Sequence, residues 1–105
     1  MREYFIYITT NAYRTVLYTG VTNDLVRRLE EHREAALENK TSFTGRYKCY
    51  WLVYWESFQY INAAIAREKE VKAWRRAKKE ALIASMNPTW NFLNEEVGCP
   101  ITPGL

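Results

Sequence analysis

Two tyrosines, an arginine, a histidine and a glutamate lie at spacings that could bring their side chains together. A phenol or an imidazole can move a proton from water, and the planar fork of arginine suits a phosphate. One carboxylate is an adequate anchor for Mg²⁺, which keeps most of its waters, whereas one histidine cannot supply the usual zinc ligands. The implied chemistry is metal-assisted phosphodiester hydrolysis. The five residues are Tyr7, Tyr18, Arg28, His32 and Glu68.

Three of these side chains fall on helix faces that should be buried. In the helix predicted over residues 24–38, Arg28 and His32 lie within the apolar stripe. In the helix predicted over residues 60–75, Glu68 occupies the middle of the apolar face. Ionisable side chains are costly on a core face unless they are paired, bind metal or face a cleft. The pattern therefore predicts a shared polar pocket.

Each residue also has a structural interpretation. Arg28 and Glu68 could form a half-buried ion pair, and His32 could be a core histidine with its hydrogen bonds satisfied. Tyr7 and Tyr18, taken singly, are typical strand aromatics. The grouping of all five favours the site.

The elements that would position them form an α+β fold. Strands are predicted over residues 4–9 and 15–19, joined by a four-residue hairpin loop that places Tyr7 directly opposite Tyr18. A third strand, over residues 50–55, is apolar enough to be central in the sheet or covered on both faces. The remaining predictions are a mobile polar loop over residues 39–47 and a third helix over residues 78–86.

Positive charge is concentrated in one segment. The chain has a net charge of +3, and residues 67–80 contain seven Lys/Arg and three Glu. A basic helix beside Trp74 could follow a nucleic-acid backbone, with Lys69, Lys72, Arg75 and Arg76 as the contacts. The alternative is a solvated helix with i,i+4 pairs such as Glu68–Lys72.

Length and composition limit the protein class. The 105 residues predict one domain over residues 1–96 and a C-terminal tail over residues 97–105. Neither a signal peptide nor a membrane span is evident. Cys49 and Cys99 lack metal-like spacing, and we expect reduced thiols in the cytoplasm.

Five motifs, in order along the chain, resemble those of the GIY-YIG nucleases. Phe5-Ile6-Tyr7 and Tyr18-Thr19-Gly20 are similar to the two tripeptides that name the family. The segment 22–32 resembles the third motif, with its arginine at Arg28 and its histidine at His32. Ala66-Arg67-Glu68-Lys69 is similar to the metal-binding glutamate motif, and Pro88-Thr89-Trp90-Asn91 to the closing motif. The match spans roughly residues 4 to 93 and looks most like the small standalone members grouped with the excision-repair nuclease domain.

The resemblance implies a small three-stranded antiparallel sheet flanked by helices and an endonuclease acting on DNA, with DNA repair as the associated setting. It implies that Tyr7 is the general base and that Glu68 holds one Mg²⁺ or Mn²⁺. Arg28 would stabilise the phosphate, with Tyr18 and His32 nearby and Asn91 as a supporting contact. A free phenol has a pKa of about 10, so His32 is the alternative base.

Two other functions stay open from the sequence. The fold could serve as a catalytically silent module that binds nucleic acid through residues 67–80. It could also be an interaction subunit whose aromatic residues dock a protein partner that supplies specificity; these are Tyr13, Tyr47 and Trp74.

Overall fold

A computed structural model describes residues 3–99, which form one antiparallel sheet and four helices. The sheet has the strand order β2-β1-β3, so β1 is central and β2 is an edge strand. This confirms the predicted α+β class. The strands are Tyr4–Thr10 (β1), Leu17–Thr22 (β2) and Trp51–Phe58 (β3), and the helices are Leu25–Leu37 (α1), Phe43–Tyr47 (α2), Ile61–Lys72 (α3) and Arg76–Met86 (α4).

The β1–β2 hairpin differs in register from the prediction. Tyr7 pairs with Gly20, and Tyr18 pairs with Thr9. The connection is longer than four residues because the Asn11 side chain accepts from the backbone N–H groups of Thr15 and Val16 and holds an extended loop together. The slip is two residues, so Tyr7 and Tyr18 keep the same face and become diagonal neighbours.

The two faces of the sheet carry separate cores. Tyr7, with Leu25 and Leu29 of α1, belongs to one core, and Ile6 and Ile8 of β1 belong to the other. The second core is closed by α3 and α4, through residues such as Ala64, Val71 and Ile83. This alternation follows from the two-residue period of a strand. It confirms that β3, which contributes to both cores, is covered on both sides.

The helices begin and end close to the predicted limits, with one addition. Asp24 caps α1 by accepting from the N–H of Arg27. The polar segment predicted as a mobile loop contains α2, capped by the Ser42 side chain, which accepts from the N–H of Gly45. Thr44 and Gly45 are buried in it, so this part of the prediction is wrong.

The buried face of α3 is rotated from its predicted position. Ala64 and Val71 are fully buried, whereas Ile61 and Ile65 are 48% and 36% exposed. Glu68 therefore lies at the border of the buried face, and its side chain is 16% exposed.

Residues after α4 cover the outer edge of β3. The Asn94 side chain accepts from the N–H of Leu52 and donates to the carbonyl of Tyr50. The Asn87 side chain donates to the carbonyl of Val53. Packing extends into the predicted tail, since Cys99 is buried and carries a free thiol, as does Cys49. Residues 100–105 lie outside the described part of the chain, and every helix within residues 3–99 is too short or too polar to cross a bilayer.

Candidate active site

A buried hydrogen-bonded chain joins the hairpin to α1 and α2. The Tyr7 hydroxyl lies 2.8 Å from His32 Nε2, and His32 Nδ1 lies 3.1 Å from Thr44 Oγ1. Tyr7 is 0% exposed and His32 is 1% exposed. His32 is therefore a buried histidine with both ring nitrogens bonded, as its place in the apolar stripe predicted.

The tautomer of His32 sets the direction of these hydrogen bonds. A neutral imidazole has one donor and one acceptor. With the proton on Nδ1, Tyr7 donates to Nε2 and Nδ1–H donates to Thr44. Arg28 acts on the pair through its charge, which works to lower the pKa of both Tyr7 and His32, while its guanidinium donates to Glu31.

Electrostatics keep this pair neutral near neutral pH. Burial raises the pKa of Tyr7, and the neighbouring Tyr18 raises it further, while Arg28 acts in the opposite direction. Burial and the charge of Arg28 lower the pKa of His32 to about 4. The resting state is therefore a neutral phenol hydrogen-bonded to a neutral imidazole.

Gly20 leaves the space that the Tyr7 ring occupies above β2. A Cβ at position 20 would lie 2.4 Å from the Tyr7 hydroxyl oxygen and 2.5 Å from Cζ. The ring therefore lies directly across the backbone of its paired residue, where only glycine leaves enough space. This close approach explains why a glycine is needed two residues after Tyr18.

Arg28 is the partly exposed cation of the cluster. Its side chain is 38% exposed and donates to Glu31 at 2.9 Å. Burial acts to lower the pKa of Arg28, but the partner Glu31 and the neighbouring phenols Tyr7 and Tyr18 outweigh it, and the net shift is upward. The guanidinium thus lies near both phenols and still reaches solvent.

Tyr18 and Lys72 connect this cluster with Glu68. The Tyr18 ring centroid lies 6.2 Å from that of Tyr7 and 5.5 Å from that of His32. Lys72 Nζ lies 5.9 Å from the Tyr18 ring centroid and 3.4 Å from Glu68 Oε2. At the edge of the sheet formed by β2, Lys72 is thus within reach of both the Tyr18 ring and the Glu68 carboxylate. The predicted Glu68–Lys72 pair is confirmed, and an Arg28–Glu68 ion pair does not form because each has a nearer partner on its own helix.

Glu68 fits a metal ion that keeps its water ligands. Within residues 3–99 no three His, Cys, Asp or Glu side chains cluster closely enough to enclose an ion, which is the arrangement that zinc requires. The Glu68 carboxylate is half-buried and already neutralises one cationic group. A single carboxylate of this kind suits Mg²⁺ or Mn²⁺, whose other ligands are water and substrate oxygen.

The remaining candidate residues lie apart from this cluster or serve the fold. Asn91 is exposed, and its backbone N–H and carbonyl are bonded to the Asn87 side chain. The Arg76 guanidinium donates to Glu80 and to the backbone carbonyls of Thr15 and Arg14, so it supports the hairpin loop.

The other predicted basic contacts, Lys69 and Arg75, are exposed on and after α3. Trp74 is only half-exposed and lies under Arg67 and Lys78. Its ring is therefore less available to a protein partner than Tyr13, which is 85% exposed.

Two contributors were missed from the sequence. Glu31, three residues after Arg28 on α1, could have been identified from helical spacing. Thr44 lies in a segment interpreted as a loop, and nothing in its sequence context distinguishes it from the neighbouring hydroxyl residues.

Fold and cluster together define a small α+β domain with a hydrogen-bonded tyrosine–histidine pair and an arginine beside a two-tyrosine hairpin. The family model of the GIY-YIG catalytic domain matches residues 3–81. The chain belongs to this family, whose characteristic activity is that of a nuclease.

Related proteins have the same compact size. The chain is 40% identical to a UPF0213 protein of Natronomonas pharaonis over 78% of its own length and 92% of that protein. It is 32% identical to a UPF0213 protein of Staphylococcus aureus, covering 79% of this chain and 96% of that one. The solution NMR structure of a UPF0213 protein of Bacillus halodurans superposes with a TM-score of 0.54 at 26% identity, covering 93% of this chain and 99% of that one.

Proposed function

We propose that this protein is a divalent-metal-dependent endonuclease that hydrolyses DNA phosphodiester bonds. The observation that supports it most is the Tyr7–His32 hydrogen bond of 2.8 Å beside an arginine that reaches solvent. A buried phenol and a buried imidazole also satisfy each other in a structural core, so the partly exposed cation beside them is what favours a reaction site.

In this proposal Tyr7 and His32 act as a relay. The Tyr7 oxygen takes a proton from the attacking water while its own proton passes to Nε2 of His32. The water oxygen bonds to phosphorus as the bond to the leaving oxygen breaks. This combines the two candidate bases in one path. Because the Tyr7 side chain is fully buried, the path requires the water to enter beside Arg28, the partly exposed member of the cluster.

Arg28 makes the relay dependent on substrate. Its positive charge is one cause of the low pKa of His32. A phosphate bound to the exposed part of Arg28 would offset that charge and raise the pKa of His32, so proton acceptance becomes easier when substrate is present. Tyr18 would hydrogen-bond near the phosphate.

Glu68 would hold one Mg²⁺ or Mn²⁺, which would supply charge neutralisation at the phosphate. Lys69, Lys72, Arg75 and Arg76 would contact the DNA backbone around the site, although much of the Arg76 guanidinium is engaged by the hairpin loop. Asn91 would be a supporting contact.

The test is a cleavage panel with purified protein. Supercoiled, linear duplex and single-stranded DNA are incubated with Mg²⁺ or Mn²⁺, using wild type, Glu68→Gln and a matched control, Glu70→Gln, on the same helix. Metal contributes several kcal/mol, so Glu68→Gln should lower the rate by at least about 100-fold, whereas the exposed Glu70 should be dispensable.

If wild type cuts none of these substrates with either metal, or if Glu68→Gln cuts as well as wild type, the proposal is wrong. Salt-sensitive DNA binding that survives Glu68→Gln without any cleavage would identify the silent binding module instead. Failure to bind DNA at low salt would favour a protein-interaction subunit.

A further inference from the structure

A row of aromatic rings leads from the buried cluster to the surface. The ring centroids of Tyr18 and Phe43 are 5.8 Å apart, and those of Phe43 and Tyr47 are 4.8 Å apart. Phe43 is 45% exposed and Tyr47 is 43% exposed. The two outer rings therefore continue the tyrosine cluster directly but remain open to solvent.

The helix that carries these rings is held firmly. Ser42 caps α2, and the backbone N–H of Cys49 donates to the carbonyl of Thr44. Lys48 ends the helix in a left-handed conformation, and its ammonium donates to the Ala36 carbonyl and to Asn39. Two large apolar side chains are thus presented to water on a rigid element, at a cost in exposed apolar surface that packing does not explain.

The same helix also supports the candidate catalytic pair. Thr44, next to Phe43, is bonded to Nδ1 of His32. A ligand that rests on Phe43 would therefore touch the element that orients His32. Thr44 therefore connects the helix that carries Phe43 and Tyr47 to His32.

Charge around the rings matches an anionic ligand. Lys40 is paired with Glu38 and the Lys48 ammonium is bonded to Ala36 and Asn39. Arg46, which lies between the two rings in sequence, is exposed, and it is the cation that this segment offers to a ligand. Exposed aromatic rings interleaved with cations are the arrangement that binds unpaired nucleic-acid strands, where bases stack on the rings and phosphates meet the cations. Bases within a duplex are stacked on each other and cannot present their faces in this way.

We infer that Phe43 and Tyr47 form a stacking platform for an unpaired nucleobase next to the phosphate held by Arg28. This inference rests on the proposed function and names its substrate class: a strand with at least one unpaired nucleotide beside the scissile bond. Fully paired duplex would bind through its phosphates alone.

The test is a binding experiment in which no cleavage can occur. Full-length protein in EDTA is titrated into a labelled single-stranded DNA oligonucleotide and into the matching duplex, at one fixed salt concentration. The variants are Phe43→Leu and Tyr47→Leu, which keep apolar bulk but lose the ring face. Tyr60→Leu is the control because Tyr60 is 68% exposed and precedes α3, away from α2. Thermal melting checks that every variant is folded.

Each ring lost should weaken single-strand binding by about 5- to 100-fold, the effect typical of one base stacked on one aromatic ring. Duplex binding should change by less than about twofold, and Tyr60→Leu should change neither. In an oligonucleotide that contains 2-aminopurine, the fluorescence of this base should be quenched by wild type but not by Phe43→Leu.

Equal losses for single strand and duplex, or no loss for either, would overturn the platform. If neither nucleic acid binds while a protein partner is retained on Phe43 and Tyr47, the rings belong to a protein interface and the inference is also wrong. The result is separate from that of the cleavage panel: a silent binding module would pass this test while failing cleavage, and an active nuclease without a platform would do the reverse.

Discussion

Two buried tyrosines in this protein have raised pKa values, yet their surroundings differ in kind. The Tyr7 centre consists of Tyr7, His32, Thr44 and Arg28, and the Tyr54 centre consists of Tyr54, Glu56, Arg67 and Glu70. In both, burial is the largest cause of the raised tyrosine pKa.

In the Tyr54 centre every charge is matched. Tyr54 donates to Glu56, whose carboxylate accepts from Nε and Nη2 of Arg67 at 3.1–3.3 Å. Arg67 also pairs with Glu70. The network is compact and its guanidinium is fully engaged, which is the behaviour of a structural ion network.

In the Tyr7 centre the tyrosine is hydrogen-bonded to a neutral imidazole, and the neighbouring cation stays partly open. The Arg28 side chain is 38% exposed, compared with 26% for Arg67. A raised tyrosine pKa therefore does not distinguish the two centres by itself. Under the proposed function, the Tyr7 centre differs by a neutral proton acceptor on one side and an accessible cation on the other.

The sharpest test of this comparison is to remove each hydroxyl in turn. Tyr7→Phe should lower the cleavage rate by about 10²- to 10⁴-fold, because a general base contributes that much. Tyr54→Phe should leave the rate within about twofold of wild type. Each variant should lose about 1–3 kcal/mol of stability, since each leaves a buried partner without its hydrogen bond.

Single-turnover cleavage and urea unfolding measure the two effects separately. A Tyr7→Phe variant that keeps its rate would mean that His32 acts on water directly. Equal loss of activity in Tyr54→Phe would mean that the two centres do not differ in function.

The pH dependence of stability isolates His32. The pKa of a free histidine is about 6.5, and in the folded protein it is lowered to about 4. Between these values the unfolded chain binds a proton that the folded chain does not, so stability falls as the pH falls from about 6.5 to about 4. The full loss is on the order of 3 kcal/mol.

The free energy of unfolding in urea, measured at pH 7 and pH 4, should show this loss in wild type and not in His32→Gln. The carboxylates change the stability of both proteins by the same amount between these pH values, so the difference isolates His32. An unchanged pH dependence in the variant would mean that His32 is not kept neutral by its surroundings.

Gly20→Ala tests whether the Tyr7 ring must lie across β2. The new Cβ would overlap the Tyr7 ring, and overpacking of this kind costs about 1–3 kcal/mol. The ring can yield only by moving its hydroxyl, so cleavage should fall together with stability. Gly98→Ala is the control, because position 98 has a φ of +94° and a Cβ there would have space around it. It should cost about 1–2 kcal/mol in stability while cleavage is kept.

Local periodicity explains which parts of the site were predictable. The two-residue period of β1 placed Tyr7 and Tyr18 on one face even though the register was wrong by two residues. The 3.6-residue period of α1 correctly placed His32 in the buried stripe. Both patterns are properties of a single element.

The parts that failed depend on contacts between elements. The hairpin loop is shaped by the Asn11 side chain and by Arg14 in a left-handed conformation, and neither is evident from a hydrophobic pattern. The α2 helix has five residues, too few for a periodic signal, and it is held by its Ser42 cap and by Lys48. The partner of His32 was missed for the same reason, because Thr44 belongs to that helix.

The smallest expected effect concerns Glu56 and Glu68, the two carboxylates that pair with cationic side chains of α3. Glu56 is held by the planar fork of Arg67, whereas Glu68 is held by Lys72, whose flexible side chain is 49% exposed. An ion pair with an exposed lysine is worth about 0.2–1 kcal/mol, so a divalent ion would displace the ammonium at little cost.

Lys72→Met should therefore lower the Mn²⁺ concentration for half-maximal binding by about two- to fivefold, measured by EPR titration without DNA. Lys69→Met, on the exposed side of the same helix, should leave it unchanged. A weaker Mn²⁺ affinity in Lys72→Met would mean that the ammonium orients the Glu68 carboxylate rather than competing for it, and the contrast between the loosely held Glu68 and the firmly held Glu56 would then be lost.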